Sequence, residues 1–212
     1  MAATKLDNAH TEVVLTQLSW GRAGMGWLDW FRRANSNESK RTEEWRRVWR
    51  AALDAPDAAS AKDLRARLTA IGIESASGID DEQFEIEREM LEGLEALVEL
   101  SHAVALNGPP TIATGHRAVG PDRCHFSAPA SLPDDPAQPS GTLLLTSTRA
   151  VFIGGGRAVT IPWHLVGECS QHDRDVLLVR VDRQDLHRVR CNTFTDTLCA
   201  AFLARHLARR RV

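Results

Sequence analysis

Residues 141–162 read GTLLLTSTRAVFIGGGRAVTIP. Runs of Leu, Val, Ile and Phe are broken at Ser147-Thr148 and again at Gly154-Gly155-Gly156, which supplies positive φ angles for a tight hairpin. The stretch therefore predicts three short strands joined by two tight turns.

The same period continues on both sides. Candidate strands fall at 123–128, 142–146, 150–154, 158–163, 166–171, 176–181 and 186–191, each bounded by Gly, Pro, Asp or Ser. His172-Asp173-Arg174-Asp175 forms a polar turn between the fifth and sixth. After the seventh, Thr193 and Asp196 have the spacing of an N-cap and its acidic partner. The helix they open runs to about Arg209, with Phe194, Leu198, Phe202 and His206 on one face, a stripe suited to closing the open end of a small barrel.

Upstream the period is helical. Ser60 with Asp63 predicts an N-cap for a helix through Ile71, and Gly72 its stop. Asp80 and Gln83 resemble a capping box for a longer helix to about Val104, which sets Phe84, Leu91, Leu94, Val98 and Leu100 among Glu85, Glu89, Glu92, Glu95 and Glu99. Asn107-Gly108-Pro109-Pro110 then stops the helix. The expected class is α+β, with an acidic helical domain at 1–108 and a strand-rich domain at 109–212. Charge follows this division: 13 Lys and Arg against 19 Asp and Glu in the first part, 13 against 9 in the second.

Five of the six tryptophans lie between Trp20 and Trp49. Trp45 and Trp49 share a helical face beside Arg46, Arg47 and Arg50. Aromatic and arginine interleaving of this kind can serve nucleic acid or an anionic membrane surface, but Glu43, Glu44 and the acidity of the whole region argue against a phosphate-binding strip. The favoured reading makes the tryptophans the core of a small helical unit.

The 212 residues, 43% of them hydrophobic, suffice for a substantial core. No apolar run reaches the roughly 18 residues of a membrane helix, and the start MAATKLDNAHTEVVL lacks the form of a secretory signal. These features give the expectation of a cytoplasmic protein with reduced cysteines at 124, 169, 191 and 199. The excess of arginine over lysine reads as the bias of a GC-rich bacterial genome.

The run GTLLLT, then Thr148-Arg149-Ala150-Val151-Phe152 with its glycine turn, then Ala158-Val159-Thr160-Ile161-Pro162, resembles the core of GRAM and bacterial PH-like domains. The resemblance spans roughly 112–210. It implies a seven-stranded barrel with a C-terminal helix, used for lipid, peptide or protein binding and normally without catalysis. One departure matters. Phosphoinositide-binding members grip phosphates with cations on the loop joining the first two strands, whereas PASLPDDPAQPS at 129–140 holds Asp134, Asp135 and no cation.

Arg149 and Arg157 flank the third strand and, with Arg123, are candidates for a basic patch. Arg209, Arg210 and Arg211 follow the last helix, where cations complement its dipole. Cys124 and His125 point to opposite faces of a strand, and Cys169 with His172 lacks a second pair, so no metal site is expected. No nucleophile turn or oxyanion loop accompanies the cysteines and histidines, including His116 and His125 at the domain junction, so neither catalysis nor a cofactor is expected. The leading expectation is a non-catalytic protein-interaction or scaffold module. The alternative is a peripheral adaptor that binds anionic lipid, without headgroup specificity, through Arg149, Arg157, Arg209, Arg210 and Arg211. Nucleic acid is disfavoured, and association between copies stays open.

Overall fold

The computed structural model describes residues 23–75, 84–182 and 185–209. The chain divides into two compact units, Met1–Lys40 and Arg41–Val212. In the first, residues 23–40 are helical and belong to α1 (Ala23–Asp54). The second holds the rest of α1, then α2 (Ala58–Ser75), α3 (Glu85–Asn107), seven strands and α4 (Phe194–Arg209). Trp20, Asp80, Gln83, Arg210 and Arg211 lie outside the described residues.

Helix ends follow the expected local signal at α4 and depart from it at α2. Asp57, not Ser60, caps α2: its carboxylate accepts the N–H groups of Ala59 and Ser60, both at 2.9 Å. Ser60 instead donates its hydroxyl to Asp57. Gly72 does not stop α2, which continues to Ser75. At α4 the expected cap is present, with Thr193 Oγ1 accepting the Asp196 N–H at 3.0 Å and donating to its carboxylate at 2.8 Å.

Trp45 and Trp49 are core residues, 2% and 3% exposed. Their apolar bodies pack with Leu64, Leu68, Leu91 and Leu94, while each indole N–H finds a carbonyl: Leu64 at 2.9 Å and Met90 at 2.8 Å. Two hydrogen bonds thus pin α1 to α2 and α3. Glu89 of α3 accepts the Phe194 N–H at the start of α4 and pairs with Arg174, in the turn just before Asp175, so acidic α3 is docked on the strand-rich part of the same unit.

The strands are β1 (Cys124–Ser131), β2 (Ser140–Thr146), β3 (Arg149–Gly154), β4 (Arg157–Pro162), β5 (Val166–His172), β6 (Asp175–Arg180) and β7 (Leu186–Cys191). They form one antiparallel sheet in the order β4-β3-β2-β1-β7-β6-β5. Gly155 and Gly156, at φ of 60° and 74°, make the two-residue β3–β4 turn. The run at the centre of β2 is buried on both faces. Leu143 and Leu145 join the main core against α4, and Leu144 joins Val119, Cys124 and Val151 on the other side.

The expected barrel does not close. Among the described residues β4 ladders only with β3, and β5 only with β6. Pro162 has no N–H to donate, and in the 3-10 turn that follows (Trp163–Leu165) the Trp163 N–H extends the β3–β4 ladder to Thr148 O at 3.0 Å. The chain is turned away there, and β5 pairs with β6 rather than back on β4.

Candidate functional site

The open sheet leaves a cleft of about 350 Å³ between its two wings. Phe152 of β3 with Val159 and Ile161 of β4 form one wall, Leu178 of β6 with His187 and Val189 of β7 the other, and the β1–β2 loop borders the mouth. These residues meet because side chains alternate along each strand: Arg157, Val159 and Ile161 share the inner face of β4, while Ala158 and Thr160 are exposed.

The mouth is charged but compensated. Asp135 pairs with Arg157, and Asp134 accepts from Arg188. The loop holds its shape through Asp135, which also accepts the Ala137 N–H at 2.9 Å. The two aspartates that set this loop apart from a phosphate-gripping one are thus neutralised by arginines from β4 and β7. Arg188 also approaches Asp175 at 3.7 Å, and the same buried carboxylate takes two hydrogen bonds from Arg190, at 2.7 and 3.0 Å.

Inside, His187 lies opposite Leu178 across the β6–β7 ladder. Its Nε2 is shielded from solvent and has no hydrogen-bond partner. Burial, with the nearby Arg180 charge, holds its pKa below the usual imidazole range, partly offset by Asp185 and Asp182. A neutral imidazole on an apolar wall can give or take one hydrogen bond.

The arginines singled out in the sequence are dispersed. Arg149 sits at the far end of the β3–β4 hairpin from Arg157, with the pairs Arg149–Pro162 and Gly154–Arg157 bounding the ladder. It donates to the carbonyls of Ala118 and Val119 at 3.3 Å and pairs with Asp122 at 3.5 Å, tying the segment before β1 over the sheet. Arg123 is exposed, and Arg209 is the last described residue of α4. Arg157 alone of these lines the cleft; His187 carried no sequence signal beyond its place in a strand.

A second cleft, of about 470 Å³, lies among Arg46, Arg50, Met90, Arg174 and Phe194. Its arginines are largely matched: Arg46 with the fully buried Glu87, Arg174 with Glu89, and Arg190 with Asp175. Arg174 also stacks over the Phe194 ring at 5.3 Å. This pairing suits a docked interface between helices and sheet more than a phosphate site.

The cysteines are buried or half-buried free thiols. Burial pushes Cys169 and Cys191 up to about 12 and Cys199 up to about 11. His116 bonds locally, its Nδ1 accepting the Ala118 N–H at 3.3 Å, whereas His125 reaches across the chain to Pro110 O at 2.6 Å and Ser147 Oγ at 3.0 Å. No helix among the described residues is long and apolar enough to cross a membrane.

No family model matches the chain, and no curated protein matches it. Several solved structures show partial likeness, among them the following two. The C-terminal domain of an unknown protein from Leishmania infantum is 11% identical, with a TM-score of 0.36 over 42% of this chain and 88% of that one. The ternary complex of human RhoA, its inhibitor and the DH/PH domain of human ARHGEF11 gives 10% identity and a TM-score of 0.38 over 82% of this chain and 54% of that one.

Proposed function

We propose that this protein is a non-catalytic binding module of PH-like type, and that a segment of a protein partner adds as a strand to the open edge of β4. The carrying observation is the contrast between the two sheet edges. β5 is protected by a bulge between Val166 and Glu168 and by α4 packed against it. β4 has an exposed side-chain face, no bulge and no lysine.

The two-residue turn makes Gly154–Arg157 a hydrogen-bonded pair, and the antiparallel alternation then directs the backbone groups of Ala158 and Thr160 away from β3. Those groups are the template for an added strand. A residue placed opposite Val159 would have its side chain on the cleft face. The raised thiol pKa values, which leave little thiolate at neutral pH, support a binding rather than a nucleophilic role. The charge-compensated mouth favours an uncharged group over a phosphate, and cytoplasmic residence is part of this reading.

Panning a displayed random-peptide library against the protein, followed by amide hydrogen exchange with the recovered peptides, tests it. Protection gained at the Ala158 and Thr160 amides supports strand addition. Protection confined to other elements, or no enrichment, sinks it.

A further inference from the structure

Ser147 Oγ and His125 Nε2 lie 3.0 Å apart, a serine and an imidazole brought together across 22 positions of sequence. We infer that Ser147 is a self-acylation site, whose hydroxyl, with His125 as general base, takes the acyl group of an activated donor (a thioester or an acyl phosphate) and keeps it. This reactivity is separate from strand addition at β4.

The hydrogen bonds fix the tautomer. The carbonyl of Pro110 only accepts, so its 2.6 Å contact places the proton of the neutral ring on Nδ1. Nε2 is then a bare lone pair, to which the Ser147 hydroxyl donates. The other acceptor in reach, Arg123 O, is farther at 3.3 Å, and that contact is exposed to solvent. A nucleophile, a base and a third group that orients the base are the arrangement that activates a serine. His125 is 9% exposed and held from both ring nitrogens, whereas Ser147 is only half-buried, in the turn between β2 and β3.

The step balances within the pair. Ser147 Oγ attacks the acyl carbon as its proton passes to His125 Nε2, and the adduct collapses with loss of the thiolate or phosphate, which takes that proton away. The backbone narrows the donor. The N–H of Ser147 is committed to Arg123 O at 2.9 Å, and those of Thr148 and Arg149 to Thr146 Oγ1 at 3.3 and 3.2 Å, so none of the three serves a developing oxyanion. Without that stabilisation only a donor with a good leaving group reacts. The product is an alkyl ester with a poor leaving group, so the acyl group stays and no turnover follows.

The test incubates the full chain with p-nitrophenyl acetate and, in separate arms, with acetyl phosphate and an acetyl thioester, and locates acetyl groups over time by peptide mass mapping. Ser147 should be acetylated to one equivalent, and His125→Gln should slow this by about 100-fold or more, the usual share of a general base. Acetylation of wild type should also slow in D2O, a reading that needs no variant. Thr148 is the internal control. Its hydroxyl donates to the Asp122 carboxylate, a weaker base than imidazole, and should stay unlabelled, as should Ser147→Ala at its own position.

Label confined to lysines and the amino terminus overturns the site. Equal rates in His125→Gln and wild type, or in D2O and water, overturn the base. Acetylation of Ser147 by the thioester or by acetyl phosphate supports the assignment and identifies the donor class, and reaction with p-nitrophenyl acetate alone overturns it. Nitrophenol release that continues past one equivalent through Ser147 overturns retention of the acyl group.

Discussion

The indole N–H of Trp163 donates to the carbonyl of Thr146 at 2.7 Å, joining the turn after β4 to the end of β2. With the indole 1% exposed, this bond fixes where the chain leaves β4 and therefore which edge of the sheet stays open. Trp163→Phe keeps an aromatic ring but removes the donor, and should cost about 2 kcal/mol, a typical penalty for stranding a buried partner. Urea unfolding should show a lower midpoint at unchanged slope. A cost near zero would mean that the turn is held by packing alone.

Two glycines should respond with opposite sign. A Cβ on Gly141 would lie 2.0 Å from the Ile153 carbonyl oxygen, so Gly141→Ala forces β2 and β3 apart and should cost about 1–3 kcal/mol. A Cβ on Gly72 meets nothing within 4 Å inside α2, and Gly72→Ala should stabilise by roughly 0.5–1 kcal/mol. Thermal unfolding of the two variants beside wild type checks both signs at once.

Asp175, its side chain 4% exposed, accepts both Arg190 bonds while facing Arg188. Asp175→Asn weakens charge-assisted hydrogen bonds and should destabilise by about 2 kcal/mol. Asp173→Asn, one turn residue away and exposed, is the matched control and should stay within about 0.5 kcal/mol.

Cys169, Cys191 and Cys199 should resist thiol reagents at pH 7.5, because burial raises their pKa values to between about 11 and about 12. Ellman's reagent should titrate them slowly in the native protein and promptly in guanidinium. Fast native labelling at Cys169 or Cys191 would show that the main core opens readily.

His187 predicts a pH dependence. Its folded pKa lies below 6.5, so near pH 6 the unfolded chain binds more protons than the folded one. Stability rises with pH in that region, is fully present above 6.5, and is lost as pH falls from 6.5 toward the folded value. His187→Phe should flatten the decline of melting temperature between pH 7.5 and 5.5. An equally steep decline in both proteins would assign it to other groups.

Much of the fold is written locally. All seven expected strands appear within a few residues of their places, because period-2 runs bounded by turn residues carry the information within each segment. Thr193 with Asp196 marked α4 for the same reason, and the paired apolar face of Trp45 and Trp49 marked a core. Local signals also misled: Ser60 and Gly72 have the composition of a helix start and stop, yet Asp57 was nearer the true end, and packing carried α2 past its glycine.

What the sequence by itself determined is the strand content, the turns, the C-terminal helix and the buried tryptophans, all set by neighbours a few residues apart. Only the tertiary structure decided that the sheet stays open at β4, that Arg149 and Arg157 face separate aspartates, and that His187 looks into an apolar cleft. Each of these depends on residues far apart along the chain, such as Arg188 on Asp134 at a separation of 54, brought together by burial of the shared core and not by any local pattern.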